Sequence, residues 1–504
     1  MNNKKKIIME LRPALEGFAG IPQDTRNTYK LLAKNSNIEL SGHLLSNNEG
    51  PEGYKYKTGF FRKKQHHIIE RQSGYILSIS SGEKESKLFF LKNVRIISMM
   101  INVFARLFRY SSALIPFLGS SRRKLFPISY EYFSDFIWRG LFSKSLSSND
   151  IKDISRTKFY GQAFSWVGMG AGVYAGLPFQ SINTKGFDYY LSQTPLPAKV
   201  SKETQLIVRY HDALPLFMPH TISNAQPHKL VHYKSLVSNV NSGALFVCNS
   251  ENSKNELLTL FPHLKERISV VYCCVADVFF PQQAKKNDLI NIFVNRVSYG
   301  QLIGMDQYKD RSSFIGQIKQ KSEAMDGYFL AVGTMEPRKN YNLLISAWMK
   351  LRAATGKNIK LVIVGNKGWN SESTLNTLMP TLLRAEAFLL ERVPLSELRQ
   401  LYSSAIATIV PSLGEGFSYS GVESMKCGGM VLASNILVHK EVYKDAAKYF
   451  SPYSPLELCT KMLDVLNMDI SIKQSIVESG YRVSNKYSEE SVSNQWSNYF
   501  DSLS

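Results

Sequence analysis

The run Ala405-Ile-Ala-Thr-Ile-Val-Pro411-Ser-Leu-Gly-Glu415-Gly-Phe-Ser-Tyr-Ser-Gly-Val-Glu423 decides how this chain is read. Ala405 to Val410 is short, apolar and rich in β-branched side chains, and it stops at Pro411, the pattern of a buried strand ending in a turn. Glu415 then falls on the loop between Gly414 and Gly416, which lack a Cβ and let the backbone approach a bound group closely. Ser420 to Cys427 follows as a short helix whose first free N–H groups face the same crevice and suit an anion. Glu415 and Glu423 thus stand eight residues apart, one on a loop and one ordered by a helix, both able to accept hydrogen bonds from ligand hydroxyls. Taken as an isolated pair they read more often as two surface glutamates.

Working outward, Tyr328-Phe-Leu-Ala-Val-Gly-Thr is a strand and turn that delivers Gly333-Thr-Met-Glu-Pro-Arg-Lys-Asn340, so Arg338 and Lys339 sit just past a strand end. An R-K pair in isolation is most often solvated surface. Next come a helix over 342–351, a strand over 359–365 with Gly365-Asn-Lys-Gly-Trp369 as its loop, and helices over 374–390 and 395–403. This alternation predicts a parallel sheet with helices on both faces. In the first half, residues 4–11 read as a strand, 16–25 as a glycine-containing loop and 26–34 as a helix. Phe187 to Ser192 is a further strand, and Thr204 to Tyr210 another that ends at His211-Asp212. Ligands collect beyond the carboxyl ends of such strands, although a His-Asp pair is also a common structural hydrogen bond. Leu245-Phe-Val-Cys leads to Ser250, a good N-cap, and 268–276 reads as a strand. Residues 161–176 hold five glycines and read as loop or tightly packed turn, Asn291-Ile-Phe-Val is open between strand and helix, and 454–500 is helical in pattern.

These segments together resemble the donor-binding half of the retaining, GT-B-fold glycosyltransferases of family 4. The resemblance is carried by Val332 to Leu344, Leu361-Val-Ile-Val-Gly365, Pro411 to Gly429 and His439 to Phe450, with His211-Asp-Ala-Leu-Pro215 similar to the H-D-x-x-P block of the family's mannosyltransferases. It implies an α/β GT-B fold of two Rossmann-like, doubly wound domains facing a central crevice. The expected divisions are 1–276 for the acceptor domain, 277–325 for a linker or insertion, 326–480 for the nucleotide-sugar domain, and 481–504 for a helix able to pack back on the first domain. By the same resemblance His211, Glu415, Arg338 and Lys339 are the catalytic candidates. Donor binding falls to Gly20, Gly333, Arg338, Lys339, Gly365, Asn366, Lys367, Glu415, Gly416, Phe417, Ser418 and Glu423, with Asp212 on the acceptor side. Arg338 and Lys339 would meet the donor phosphates, Glu415 the transferred sugar and Glu423 the ribose. No cofactor and no metal are implied. The sequence departs from the family at Ser418, where glycine is usual, and a serine there is costly if the site needs positive φ.

At 504 residues two domains are the natural expectation. Five cysteines at 248, 273, 274, 427 and 459 show no zinc or disulfide spacing, a set that suits a reducing cytoplasm. Glu10 and Arg12 interrupt the first apolar residues before any signal-peptide core, and nowhere do 18 apolar residues run without a charge. The formal charge of +20, from 61 basic and 41 acidic residues, calls for an anionic partner. Nucleic acid is disfavoured, because aromatics are not interleaved with basic residues and no helix-turn-helix or C2H2 pattern appears. The charge is concentrated instead: Lys92 to Lys144 holds nine basic and two acidic residues. If 94–112 is helical, Ile97, Ile101, Phe104 and Phe108 oppose Arg95, Arg106 and Arg109, which suits either an anionic membrane surface or packing on the domain itself. Phe61-Arg-Lys-Lys64 and the Ser121-Arg-Arg-Lys-Leu-Phe126 cluster add to this elaboration over 50–160.

The leading expectation is therefore a hexosyltransferase, mannose from GDP-mannose by resemblance, acting on a glycan or lipid-linked saccharide in surface polysaccharide synthesis. It is expected in the cytoplasm, peripheral on the inner face of the membrane. A glycan phosphorylase-like enzyme, an epimerase or an inactive membrane-associated saccharide-binding protein shares the architecture, and a phosphorylase is expected to bind inorganic phosphate and to run without nucleotide.

Overall fold

The computed structural model describes residues 4–18, 20–46, 65–80, 124–223, 225–298 and 311–503. The expected amphipathic helix over 94–112, most of the basic patch over 92–144 and the Phe61 to Lys64 cluster lie outside them. The chain divides into two compact units: 1–210 with 226–247 and 263–269, and 211–225 with 248–262 and 270–504.

The first unit is built on strands β1 (Lys5–Glu10), β2 (Ile38–Ser46), β3 (Phe126–Ile128), β4 (Lys158–Ser165), β6 (Tyr189–Ser192), β8 (Gln205–Tyr210), β9 (Leu245–Cys248) and β10 (Ile268–Val270), in the order β10-β9-β8-β6-β1-β2-β4-β3. A short pair, β5 (Gln180–Ser181) and β7 (Ala198–Lys199), stands apart. β1 runs parallel to β2 and β6, and β3 is an antiparallel edge on β4. Placing β1 between β6 and β2 is doubly wound topology, with the order reversing beside β1. Two expectations need correction here, and one open reading is settled. The 161–176 stretch is not loop: β4 runs through Gly161, and a helix spans Trp166–Tyr174, capped by Ser165, which accepts the Gly168 N–H. Gly161 is there for contact, since a Cβ on it would meet the Phe126 ring at 2.6 Å and the Tyr75 ring at 2.7 Å. The strand expected over 268–276 ends at Val270, and Asn291-Ile-Phe-Val is helical, within Lys286–Arg296, with Leu289, Ile292 and Phe293 buried.

The loop after β1 is fixed from within. Arg26, on the helix Ile21–Lys34, is fully buried and donates to the carbonyls of Ala14, Glu16 and Gly17 at 2.7–2.8 Å and to Leu141 O at 2.6 Å. Gly20 caps that helix at φ 70°, a conformation glycine takes without cost. Arg209 and Asp24 form a buried pair at 2.8 Å that ties β8 to the same helix.

The second unit holds six parallel strands, β11 (Gly327–Val332), β12 (Ile359–Val364), β13 (Ala387–Leu390), β14 (Ala407–Val410), β15 (Val431–Ser434) and β16 (Ala447–Phe450), in the order β13-β12-β11-β14-β15-β16. Near-continuous apolar runs make them because a parallel sheet is covered on both faces; β12, β13, β14 and β15 are buried at every position. The helix expected over 374–390 stops at Leu383, and Ala387-Phe-Leu-Leu390 is β13 instead. Arg384 and Ala385 turn the chain, Ala385 at φ 50°, and four apolar residues do not by themselves distinguish strand from helix. Helices Pro455–Leu466, Ile470–Ser484 and Glu489–Asp501 close the chain. Strand order reverses between β11 and β14, so the crevice beyond their carboxyl ends is where this sheet can hold a ligand.

Candidate active site

β11 and β14 deliver their loops to that switch point. After β11, Gly333 donates to Val364 O at 2.9 Å, and its carbonyl accepts from the Tyr341 hydroxyl at 2.9 Å. Pro337–Lys339 then makes one 3-10 turn ending at Asn340, left-handed at φ 56°, whose amide reaches Pro411 O at 3.2 Å and Pro452 O at 2.8 Å. After β14, Leu413 donates to Arg338 O at 2.8 Å. The two loops are thereby zipped together, and their side chains meet: Arg338 Nη1 lies 2.6 Å from Glu415 Oε2, and Lys339 Nζ lies 2.5 Å from Glu415 Oε1. Ser412 adds a hydroxyl donor to Glu415 at 2.7 Å. Arg338 Nη2 also reaches Glu336 at 2.6 Å.

Burial alone would raise the Glu415 carboxyl, but Arg338 and Lys339 overcome it and hold the group well below the usual carboxylate range. Asp212 and Glu336 border the same cluster with the opposite outcome: burial dominates and pushes both upward, with Arg338 only partly offsetting it. The cluster therefore keeps one firmly ionised carboxylate between two cations, beside two carboxyls that protonate more readily. Among the described residues no group of three His, Cys, Asp or Glu side chains could hold a metal ion.

Around this cluster the chain packs 211–225 and 248–262. Ser253 donates to His211 O at 2.7 Å, and Ser250, the N-cap of Glu251–Leu260, donates to Gly416 O at 2.7 Å. A Cβ on Gly416 would lie 2.2 Å from His211 O, so glycine is what allows the carboxylate loop to approach the His211 segment. Asp212 accepts from Leu214 N–H at 3.1 Å.

Residues 315–483 match the family model for glycosyl transferases group 1. O-antigen chain mannosyltransferase B of Escherichia coli is 24% identical over 321 residues, 63% of this chain and 75% of that protein. The serotype-specific mannosyltransferase WbdA of E. coli is 35% identical over 139 residues, 27% of this chain and only 17% of its own length. In fold, sucrose-phosphate synthase of Thermosynechococcus elongatus superposes over 99% of each chain with a TM-score of 0.55 at 12% identity. This is a GT-B-fold glycosyltransferase related to the family 4 mannosyltransferases.

Within this glycosyltransferase, Gly333, Arg338, Lys339, Glu415 and Gly416 converge at the switch point. Gly365 lies against them for a packing reason, since a Cβ there would sit 2.0 Å from Gly333 O. Asn366 and Lys367 run alongside Met335, which donates to Asn366 O at 2.9 Å, and Lys367 pairs with Glu372 at 3.4 Å. Glu423 sits in the helix Tyr419–Lys426, buried, with Oε2 accepting from Tyr402 at 2.8 Å. The Phe417 side chain is given to the core, against Tyr419 and Tyr487 at 5.4 and 5.0 Å between ring centroids, so only its backbone faces the loop. Gly20 belongs to the first unit. Ser418 is left-handed at φ 72°, as a glycine site demands, and buried. Tyr443 compensates, donating its hydroxyl to Ser418 O at 2.9 Å and sitting 2.7 Å from Ser418 Oγ.

Sequence reasoning missed Glu336, Ser412, Tyr402 and Tyr443. Glu336 and Ser412 lie inside the quoted motifs and were within reach of it. Tyr443 likewise lies inside the quoted His439 to Phe450 segment, whereas Tyr402 lies outside every quoted segment and reaches the site from the helix Leu395–Ser404.

Proposed function

We propose that the protein is a retaining, metal-independent hexosyltransferase that moves mannose from GDP-mannose onto a glycan or lipid-linked saccharide in surface polysaccharide synthesis. The observation that carries the reading is the clamp of Arg338 and Lys339 on Glu415 at the switch point. The mannosyl assignment draws on the two E. coli relatives and on the His211-Asp-Ala-Leu-Pro215 block.

In this reading the donor diphosphate lies over Arg338 and Lys339, with Glu423 accepting from the ribose and Glu415 from a hydroxyl of the transferred sugar. The bond from the anomeric carbon to the diphosphate oxygen breaks, and the electron pair leaves with the nucleoside diphosphate. Arg338 and Lys339 stabilise the charge that develops there. The acceptor hydroxyl forms the new bond on the same face, and its proton passes to the departing phosphate oxygen. His211 and Asp212 border the transferred sugar and the acceptor. The acceptor domain's basic elaboration would meet an anionic membrane surface from the cytoplasmic side.

The test is nucleotide release from GDP-, UDP-, ADP- and dTDP-sugars by the protein and by Lys339→Ala. Release from GDP-mannose that the variant loses supports the reading. Release from another sugar nucleotide corrects the donor, and release that the variant retains overturns the phosphate role of Lys339.

A further inference from the structure

The first unit carries a second charged hollow, at the opposite end of its sheet from the strand ends where doubly wound folds bind ligands. It is a cavity of about 450 Å³ lined by Lys6, Ser41, Lys124, Lys158, Tyr160 and Lys185, among others. Lys6 is the second residue of β1, Lys158 opens β4, and Lys185 is on the turn before β6, so all three stand at the amino-terminal edge of the sheet. Lys124 is bridged to Asn183 beside them.

The charge there is unbalanced. Glu39 also lines the cavity and pairs with Lys158 at 2.9 Å. Among the described residues Lys6, Lys124 and Lys185 form no ion pair, and all three are exposed. The nearby Asp188 carboxylate is turned to the backbone, accepting Lys6 N–H at 2.8 Å. Three ammonium groups gathered on one hollow repel one another, and a multivalent anion relieves that repulsion. Lysine presents a compact point charge suited to phosphate oxygens, and the Asn183 amide and the Ser41 and Tyr160 hydroxyls add neutral donors. Tyr160 and Phe187, edge to face at 5.7 Å, form a wall for the carbon part of such a ligand. The volume lies in the range of small-molecule sites.

We propose that this cavity binds a phosphate-bearing anion, either a free phosphorylated small molecule or the headgroup of a phospholipid. The site lies wholly in the first unit and shares no residue with the Arg338–Lys339–Glu415 cluster, so it stands or falls independently of the donor reading.

The experiment uses the full chain carrying Lys339→Ala, so that the donor cluster contributes little, and compares it with the same chain also carrying Lys6→Glu and Lys185→Glu. Lys6→Gln with Lys185→Gln is the milder pair, and thermal melts check that each folds. Pyrophosphate binding is measured by calorimetry, and flotation is measured with phosphatidylglycerol and phosphatidylcholine vesicles. Pyrophosphate binding that weakens about tenfold or more in the paired variants, and that falls with added salt, supports a soluble ligand. Flotation with phosphatidylglycerol alone, lost in the paired variants without pyrophosphate binding, supports the headgroup. Binding of neither probe, or binding that the paired variants leave unchanged, overturns the proposal.

Discussion

Glu415 shows how one side chain's state follows from its neighbours. A carboxylate this buried would ordinarily protonate, and Arg338 and Lys339 keep it charged. Glu415→Gln removes the charge but keeps the shape, and is expected to lower turnover about 100-fold, in the range for losing a preorganised electrostatic group. Donor binding should persist, measured by titration with the nucleotide sugar, whereas Lys339→Ala should lose both. Equal loss of binding in the two variants would place Glu415 with the phosphates rather than the sugar. Ser418 makes a second case. Ser418→Ala keeps the left-handed backbone and the Tyr443 bond to Ser418 O but loses the Oγ contact, so it should cost about 1 kcal/mol. Ser418→Gly loses the same contact but relieves backbone strain of about 1 kcal/mol, so it should be close to neutral. Urea unfolding of both variants checks this, and equal destabilisation would remove the strain argument.

At the scale of elements, the site is two loops after adjacent parallel strands, and glycine sets how near other segments come. Gly416→Ala would drive a Cβ into His211 O, a backbone atom that cannot rotate away. The carboxylate loop and the 211–225 segment must then separate, costing about 1–3 kcal/mol as overpacking does. Turnover should fall as Glu415 shifts. Unfolding and nucleotide-release assays measure the two effects, and a variant with normal stability and activity would show that the approach is dispensable. Much at this scale was legible: β11, β12 and β14 follow from apolar runs ending at glycine or proline. β13 was not, because Ala387 to Leu390 continues a helical apolar pattern and the turn at Ala385 carries no glycine or proline. The glycine-rich 161–176 stretch misled for a related reason. Glycine marks close contact as well as turns, and only the neighbouring rings of Phe126 and Tyr75 show which applies.

At the scale of the whole molecule, stability should depend on pH through buried histidines. Burial lowers His43 and His232 to about 3 and His439 to about 4, against an ordinary value of 6.5. Below pH 6.5 the unfolded chain binds protons that these native imidazoles refuse, so their stabilisation is present above 6.5 and is lost as pH falls toward 4. Each contributes a slope of up to about 1.4 kcal/mol per pH unit in that window. Urea unfolding at pH 7.5 and pH 5 should show the decline, and a flat profile would mean that these histidines titrate normally in the native state.

The glycosyltransferase resemblance and the Arg338–Lys339–Glu415 cluster are legible in the sequence, because the strand ends, glycines and charges that meet there lie within short stretches of chain. The sequence also showed that Ser418 stands where glycine is usual. Folding in three dimensions is what holds Glu415 between Arg338 and Lys339, commits Phe417 to the core, and brings Tyr402 and Tyr443 against Glu423 and Ser418. Local pattern records how often a residue is buried and which backbone it prefers. Which distant groups share that burial is fixed by strand order and by loops meeting beyond strand ends, and no single stretch of sequence contains that information.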